Sequence, residues 1–304
     1  MAIIATRNLS KKFKDLLAVD DVDLEVEEGE CFGLLGPNGA GKTSLIRMIT
    51  AVSPPLSGDI RVDGMDVRKR PRQVKAILGV VPQMDNLDED LTVLQNLTTF
   101  ARYFGIPRAE ANLHGRELLR LFRLEEKTGS KIKELSGGMK RLLLIARGLI
   151  NRPRIAILDE PTVGLDPQTR HLVWQQLREL RARGVTQLLC TQNMEEAAVL
   201  CDRVAVMHQG RILSLDSPRA LVLEHVGDRV VEIAVDSASR DRTVEELTRT
   251  GLEFLDLGNS LQVLGIDHEQ LPEGLTVEPE QLRERPATLE DVFFRLTGKT
   301  LDTE

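Results

Sequence analysis

The feature that most constrains how this chain folds is a glycine-rich segment between an apolar run and a helical pattern. Residues 36–43 read GPNGAGKT and match G-x-x-x-x-G-K-[ST]; they follow Cys31–Leu35 and precede residues 44–49, where apolar side chains recur at helical spacing. This order predicts a phosphate-binding loop, in which backbone N–H groups and the positive end of the helix face one anion. A glycine-rich turn without a ligand is the weaker alternative.

Two side chains of this loop carry chemistry of their own. Lys42 adds a mobile cation, and the hydroxyl of Thr43 offers a ligand for Mg²⁺. The residues predicted to contact phosphate are Gly36, Pro37, Asn38, Gly39, Ala40, Gly41, Lys42, Thr43 and Ser44.

Composition sets bounds on the function. The 304 residues are 41% hydrophobic and 29% charged, which is typical of a globular protein with one large core and a smaller domain. The formal charge of -7 argues against nucleic acid as a partner, because such binding needs a basic surface. The sequence has neither a leader-like N-terminus nor an apolar run of about eighteen residues, so we do not expect the chain to enter a membrane by itself.

Short apolar runs alternate with helical patterns as far as about residue 220, which predicts an α/β fold around a largely parallel sheet. The runs at 155–158 and 187–190 have the length of buried strands, and residues 171–180 between them repeat apolar side chains at helical spacing. We predict one domain over residues 1–220 and a small α+β domain over residues 221–304.

The predicted second domain has its own sequence of elements. Residues 229–235 are typical of a strand, residues 244–248 of a helix, and Gly258 of a hairpin turn. A last helix is expected to begin at Thr288, with Asp291 completing a capping box.

Two adjacent carboxylates, Asp159 and Glu160, follow the apolar run at 155–158. Because successive residues of a strand point to opposite sides, we expect the two acids to do different work. Asp159 is predicted to hold Mg²⁺, directly or through water, and Glu160 to polarise the water that attacks the γ-phosphorus. A solvated strand end is the alternative, and the phosphate-binding loop in the same chain disfavours it.

A second candidate anion-binding helix end lies at Ser136, Gly137 and Gly138. Ser136 is a favourable N-cap, and the two glycines leave backbone N–H groups accessible at the start of a helix. One nucleotide does not need two such helix ends from a single chain. With this segment, which reads LSGGM at 135–139, the chain resembles the ATP-binding subunits of ATP-binding cassette (ABC) transporters.

The resemblance implies a P-loop NTPase core of the ABC type with antiparallel β and α-helical subdomains, the helical one over about residues 84–150. It implies ATP and Mg²⁺ as ligands and ATP hydrolysis as the activity. It also implies a second ATPase subunit, in the simplest case a homodimer. In such a head-to-tail dimer, Ser136, Gly137 and Gly138 face the γ-phosphate held by the opposite subunit.

Further positions match the family residue by residue. Phe13 matches the aromatic side chain that stacks on adenine, although a core position is its alternative. Gln83 matches the glutamine that touches Mg²⁺ and senses the membrane partner, and Asp166 matches the acid that communicates across the dimer.

Gln192 departs from the family pattern, which places there a histidine that contacts the γ-phosphate. A glutamine amide donates a hydrogen bond to phosphate but does not become a cation. We therefore expect slow but measurable turnover. A loop residue without a role is the alternative for Gln192.

The segments 135–139, 194–197, 201–204 and 289–298 resemble most closely the drug-resistance and nodulation-factor type of exporter ATPase. This implies a separate six-helix permease of the type-2 exporter class (ABC-2), with the cytoplasmic ATPase held peripherally at the membrane through it. Two functions stay open: an ATP-hydrolysing motor of the exporter, or an ATP-binding but weakly hydrolysing regulatory subunit. A soluble cassette ATPase of the ribosome or DNA-repair kind is disfavoured by the acidic charge.

Overall fold

The computed structural model describes residues 2–236, 238–272, 275 and 277–298. The chain forms two compact units, Met1–Ile212 and Leu213–Glu304. The sequence predicts two domains that meet near residue 220, and their independent folding stays a prediction. No helix within the described residues combines the length and the apolarity that a membrane span requires.

The first unit contains strands of two sheets, and the last of these strands crosses the boundary between the units. In chain order they are β1 (Ala2–Phe13), β2 (Leu16–Glu27), β3 (Cys31–Leu35), β4 (Ser57–Val62), β5 (Met65–Asp66), β6 (Leu78–Val81), β7 (Ile155–Asp159), β8 (Thr186–Thr191), β9 (Arg203–His208) and β10 (Arg211–Asp216).

The central sheet has the strand order β10-β9-β3-β8-β7-β6, and β3, β6, β7, β8 and β9 pair in parallel. Every residue of β3, β7 and β8 is buried, as expected for apolar strands covered on both faces. The pairing of Leu35 with Thr191 and of Asp159 with Cys190 places the ends of these strands at one edge of the sheet. The phosphate-binding loop and the two carboxylates therefore emerge side by side.

A second sheet of the first unit has the order β2-β1-β4-β5, and all its pairs are antiparallel. Together with the parallel sheet and the helices, this arrangement confirms the predicted α/β fold with an antiparallel β part. The helices of the first unit are α1 (Lys42–Ile49), α2 (Pro71–Ile77), α3 (Val93–Ala101), α4 (Arg108–Leu121), α5 (Gly137–Gly148), α6 (Pro167–Ala182) and α7 (Met194–Leu200).

Helices α3, α4 and α5 pack on one another and form the helical part of the first unit. Two of them, α3 and α5, begin at a residue whose side chain caps the helix. Thr92 caps α3 through a capping box with Gln95, and Ser136 caps α5 by accepting a hydrogen bond from the Met139 N–H at 3.2 Å. The bounds of about 84–150 for a helical subdomain stay a prediction.

The strands of the second unit are β11 (Arg229–Ala234), β12 (Phe254–Asp256), β13 (Ser260–Leu264) and β14 (Leu282–Pro286). They form an antiparallel sheet in the order β12-β13-β11-β14. Its strands β12 and β13 form the hairpin predicted around Gly258, and Thr288 donates to Asp291 from its N–H at 2.7 Å as the predicted capping box requires. The helices of this unit are α8 (Pro218–His225), α9 (Arg240–Thr250) and α10 (Leu289–Thr297).

Candidate functional site

Gly36 and Gly41 are two loop positions at which neighbouring backbone leaves no room for a Cβ. A Cβ on Gly36 would lie 2.2 Å from the carbonyl oxygen of Met207, and a Cβ on Gly41 would lie 2.3 Å from that of Ala18. Gly41 also has a φ of 107°, which other residues rarely adopt. It caps α1, so the unpaired N–H groups of the first turn lie beside the loop.

Lys42 connects the loop to the carboxylates. Its Nζ donates to the carbonyl oxygens of Gly36 at 2.6 Å and Pro37 at 3.0 Å. The same Nζ lies 3.7 Å from Oε1 of Glu160, and both side chains are buried. A buried ammonium group at this position is placed to neutralise the negative charge of a phosphate.

Asp159 ends β7 and faces the start of α1. The hydroxyl of Thr43 donates to its Oδ2 at 3.4 Å, while Oδ1 is buried and has no hydrogen-bond partner among the described residues. Burial raises the pKa of the Asp159 carboxyl, and the nearby charge of Lys42 opposes that shift. The carboxyl therefore keeps one oxygen free beside a hydroxyl, which suits a hard cation.

Glu160 does not follow the alternation predicted for two successive strand residues. Its φ is 49°, because β7 ends at Asp159 and the chain turns there through a left-handed conformation. Both carboxylates consequently border the same cleft and the same Lys42. The expectation of opposite sides was wrong, and so was the alternative of a solvated strand end, since both residues are buried.

The Glu160 carboxylate is also the less satisfied of the two. Neither of its oxygens accepts a hydrogen bond of good geometry from the described residues. Burial raises the pKa of the Glu160 carboxyl, whereas Lys42 and the nearby backbone N–H of Gln192 lower it. An ionisable oxygen held in this way is available to a water molecule.

A cleft of about 200 Å³ brings most of the predicted site residues together. Gly36 does not border it and acts through its carbonyl, which accepts from Lys42. The residues that line this cleft are Phe13, Leu16, Ala18, Pro37, Asn38, Gly39, Ala40, Gly41, Lys42, Thr43, Ser44, Gln83, Asp159 and Glu160.

Phe13 and Gln83 lie at the rim of this cleft. The Phe13 side chain is 44% exposed, so its alternative as a core residue was wrong. Gln83 is exposed, and its backbone carbonyl is held by Arg141 at 3.0 Å. A larger cleft of about 810 Å³ lies elsewhere in the first unit. The structure describes every predicted site residue, and none of them lines this larger cleft. The type of side chain that lines a cleft, rather than the volume of the cleft, identifies the candidate site.

Besides Gly36, five predicted site residues do not border the cleft: Ser136, Gly137, Gly138, Asp166 and Gln192. Ser136 and Gly137 are exposed at the start of α5, and Gly138 follows them. Asp166 is an exposed N-cap of α6, and hydrogen bonds from Thr169 lower the pKa of its carboxyl. Gln192 is partly exposed in the loop after β8. Their roles stay predictions.

Arg141 is a residue of the site region that sequence reasoning missed. It lies on α5, is 8% exposed, and donates to the backbone carbonyl oxygens of Asp159 at 2.9 Å and Glu160 at 2.7 Å. Its position in the helical pattern, next to Lys140 and among apolar residues, gave only a weak signal of burial. Burial lowers the pKa of the Arg141 guanidinium, and the charges of Asp159, Glu196 and Glu160 oppose that shift.

Comparison with known proteins agrees with this geometry. The family model described as ABC transporter matches residues 19–163. Proteins called Nod factor export ATP-binding protein I are 45% identical over 99% of both chains in Burkholderia orbicola, and 44% identical over 99% of this chain and 98% of the relative in Paraburkholderia xenovorans.

Solved structures give the same result for the fold. One structure, described as the ATP binding subunit of an ABC transporter, is 30% identical with a TM-score of 0.67. The match covers 73% of this chain and 92% of the chain in that structure. Another is a dimeric ATP-binding cassette in a post-hydrolysis state bound to ADP and Pi; it is 26% identical, with a TM-score of 0.65, and covers 70% of this chain and 98% of its own. Relatives of this identity and coverage show that the chain belongs to the ATP-binding subunits of ABC transporters and is an ATPase of that family.

Proposed function

We propose that this chain is the motor of an exporter, in which two copies close head to tail around two ATP molecules and drive a separate membrane permease of the type-2 exporter class. The observation that carries the dimer is the exposed start of α5. Ser136 and Gly137 are exposed at this helix end, where the first N–H groups of a helix have no partner within the helix, and they do not border the cleft that holds Lys42 and Glu160. A second copy would bring such a helix end to each cleft.

The names of the relatives support the direction of transport, because they are called export proteins. A similar cassette whose solved structure is described as dimeric supports the assembly. With a separate permease, the chain would work at the cytoplasmic face of the membrane. The acidic net charge of -7 fits a subunit that does not bind nucleic acid.

The residues of the cleft fit Mg²⁺ bound together with ATP. Asp159 offers a buried Oδ1 that has no hydrogen-bond partner among the described residues, and the Thr43 hydroxyl lies beside its other oxygen. The ion supplies neutralisation of charge on the β- and γ-phosphates. Lys42 binds the same phosphates, Phe13 stacks on the base, and Glu160 orients the attacking water.

The head-to-tail arrangement is tested by mixing two inactive variants. Lys42→Ala removes the phosphate-binding cation. Ser136→Glu places a negative charge at the start of α5, where we call Ser136, Gly137 and Gly138 the signature residues. Each homodimer is expected to be inactive. A mixed dimer contains one site with both defects and one intact site. Mixing equal amounts should therefore restore phosphate release to about a quarter of the wild-type rate, since half the dimers are mixed and each has one working site.

Absence of recovery on mixing would overturn the dimer, because sites completed within one chain stay defective in every combination.

Size-exclusion chromatography with Glu160→Gln, ATP and Mg²⁺ gives a second measurement, in which the dimer is expected to accumulate. Coupling is tested separately by measuring ATP turnover with and without a candidate type-2 permease in liposomes, and turnover that ignores the permease would contradict that part of the proposal.

A further inference from the structure

Arg141 uses its whole hydrogen-bonding capacity on backbone carbonyls. A guanidinium group has five N–H donors in a fixed planar arrangement. In this chain the five donors meet five carbonyl oxygens at 2.7 to 3.0 Å. Nε donates to Pro161, Nη1 to Pro82 and Gln83, and Nη2 to Asp159 and Glu160.

These carbonyls belong to two separate segments that carry predicted site residues. Pro82 and Gln83 follow β6, while Asp159 ends β7 and Glu160 and Pro161 come directly after it. The segment after β6 lies 58 to 59 residues before Arg141 in the sequence. The segment at the end of β7 lies 18 to 20 residues after Arg141. One planar group therefore fixes the distance between the Gln83 peptide and the Glu160 peptide.

The Glu160 peptide needs such restraint. Its φ of 49° is costly for a side chain of this kind and persists only where the surroundings hold it. Its N–H donates to the Cys190 carbonyl at 2.8 Å, and its own carbonyl accepts from Arg141 at 2.7 Å. The Glu160 carbonyl also accepts from the Val163 N–H at 3.4 Å, so without the guanidinium this longer bond within the turn is what holds that side of the peptide.

Arg141 also lies on the same helix as the signature residues. Helix α5 begins at Gly137, after its cap Ser136, so Arg141 is in the second turn, about 7 Å along the axis from that cap. A helix moves as a rigid element, and a shift of its first turn carries Arg141 with it.

We propose that Arg141 is a positioning residue that keeps Gln83 and Glu160 in register with the signature end of α5. The inference rests on the proposed function, because it assigns Ser136 and Glu160 to ATP hydrolysis. The site of each chain is then aligned for catalysis only when its own signature helix is in place.

The test compares Arg141→Met with Arg147→Met. Arg147 is a matched control: it lies on the same helix, is 7% exposed, and donates to the Asn86 carbonyl at 2.9 Å without contacting residues 159–161. Both variants should lower the melting temperature and leave the ATP dissociation constant within about twofold. Only Arg141→Met should lower kcat, by about tenfold to a hundredfold, as expected for a displaced reacting group.

Arg141→Lys keeps the charge but offers three donors in another geometry, so its kcat should lie between those of wild type and Arg141→Met. If Arg141→Met does not fold, Arg141→Lys and Arg147→Lys replace the Met pair and the same criteria apply. Equal losses of kcat in the Arg141 and Arg147 variants would overturn the proposal, as would a loss of ATP affinity that matches the loss of kcat. If mixing Lys42→Ala with Ser136→Glu restores no activity while Arg141→Met still loses kcat selectively, the dimer fails and the positioning role stands.

Discussion

Each of the two units holds a cluster of one cation and two carboxylates, and the two clusters differ in how their polar atoms are satisfied. In the second unit, Arg285 donates from Nε to Glu232 at 2.6 Å and from Nη1 and Nη2 to Asp291 at 2.8 and 2.7 Å. Asp291 also accepts from the hydroxyl and the N–H of Thr288. We call Arg285, Glu232 and Asp291 the closed cluster.

The first unit holds the open cluster, which consists of Lys42, Asp159 and Glu160. Lys42 donates its hydrogen bonds to carbonyl oxygens of the loop, and its Nζ lies 3.7 Å from Oε1 of Glu160. Within the described residues, one oxygen of Asp159 accepts no hydrogen bond, and neither oxygen of Glu160 accepts one of good geometry, although the Gln192 N–H lies nearby.

The same residue types therefore serve two purposes. A buried carboxylate without partners costs free energy, so it persists where a ligand later supplies the missing charge. In the closed cluster, hydrogen bonds from Arg285 to Asp291 are the main reason why the pKa of Arg285 is raised. In the open cluster, burial is the main reason why the pKa values of both carboxyls are raised. The two clusters contain the same number of charged groups. The candidate site differs from the structural network because most of its carboxylate oxygens accept no hydrogen bond of good geometry from the described residues.

The largest effect is expected from Glu160→Gln. The amide keeps the shape of the side chain but cannot act on water as a base, so phosphate release should fall by about a hundredfold to ten-thousandfold. ATP affinity, measured by calorimetry, should stay near the wild-type value, because Lys42 and the loop bind the phosphates. The exposed Glu195→Gln serves as control and should hydrolyse ATP normally. A Glu160→Gln variant that keeps half the activity would contradict this role.

Asp291→Ala opens the closed cluster. The variant removes the carboxylate that accepts from Nη1 and Nη2 of Arg285 and leaves Glu232 as the remaining carboxylate of the cluster, so we expect a loss of about 3 kcal/mol in the free energy of unfolding. This is the lower end of the usual range, because the Arg285 side chain is 22% exposed. Urea unfolding followed by circular dichroism measures the effect. The control is Asp241→Ala, whose side chain is 89% exposed and whose loss should cost less than about 0.5 kcal/mol. Equal midpoints for the two variants would mean that the closed cluster contributes no stability.

Gln192→His adds a stronger donor beside the open cluster. If the side chain at this position bonds the γ-phosphate, the histidine should raise steady-state phosphate release by about fivefold to a hundredfold, within the scale of one well-placed donor. ATP affinity should change little. Wild type and variant are compared at the same salt and Mg²⁺, with the exposed Gln175→His as control. Equal rates would show that Gln192 is not the weak point of the site.

The sequence predicted those parts of both clusters that depend on neighbouring residues. The loop at 36–43, the strand before Asp159 and the capping box of Thr288 with Asp291 are each set within a few residues, and the structure contains all three. The partnership of Arg285 with Glu232 spans 53 residues and could not be predicted from local pattern.

Glu160 and Arg141 show the same limit at the candidate site. The left-handed φ of Glu160 depends on bonds from β8 and α5, which a strand pattern does not reveal. Arg141 bonds only to carbonyl groups of the backbone, which every residue has, so no particular residue type in the sequence marks its partners. Local motifs therefore identified the chemistry, and tertiary contacts determined its alignment.

The smallest expected effect concerns the stability of the ligand-free protein. Because burial raises the pKa of Glu160 above its ordinary value of 4.5, the folded state holds the ionised carboxylate less readily than the unfolded state does. Stability is therefore lost as the pH rises from 4.5 through the raised pKa, and the full cost is present once the pH exceeds that pKa. Glu160→Gln should remove this cost and stabilise the ligand-free protein by about 0.5 to 2 kcal/mol at neutral pH, while the gain should vanish at about pH 4.5. Thermal unfolding of both proteins at the two pH values measures the difference, and a Glu160→Gln variant less stable than wild type at neutral pH would place Glu160 with the closed cluster.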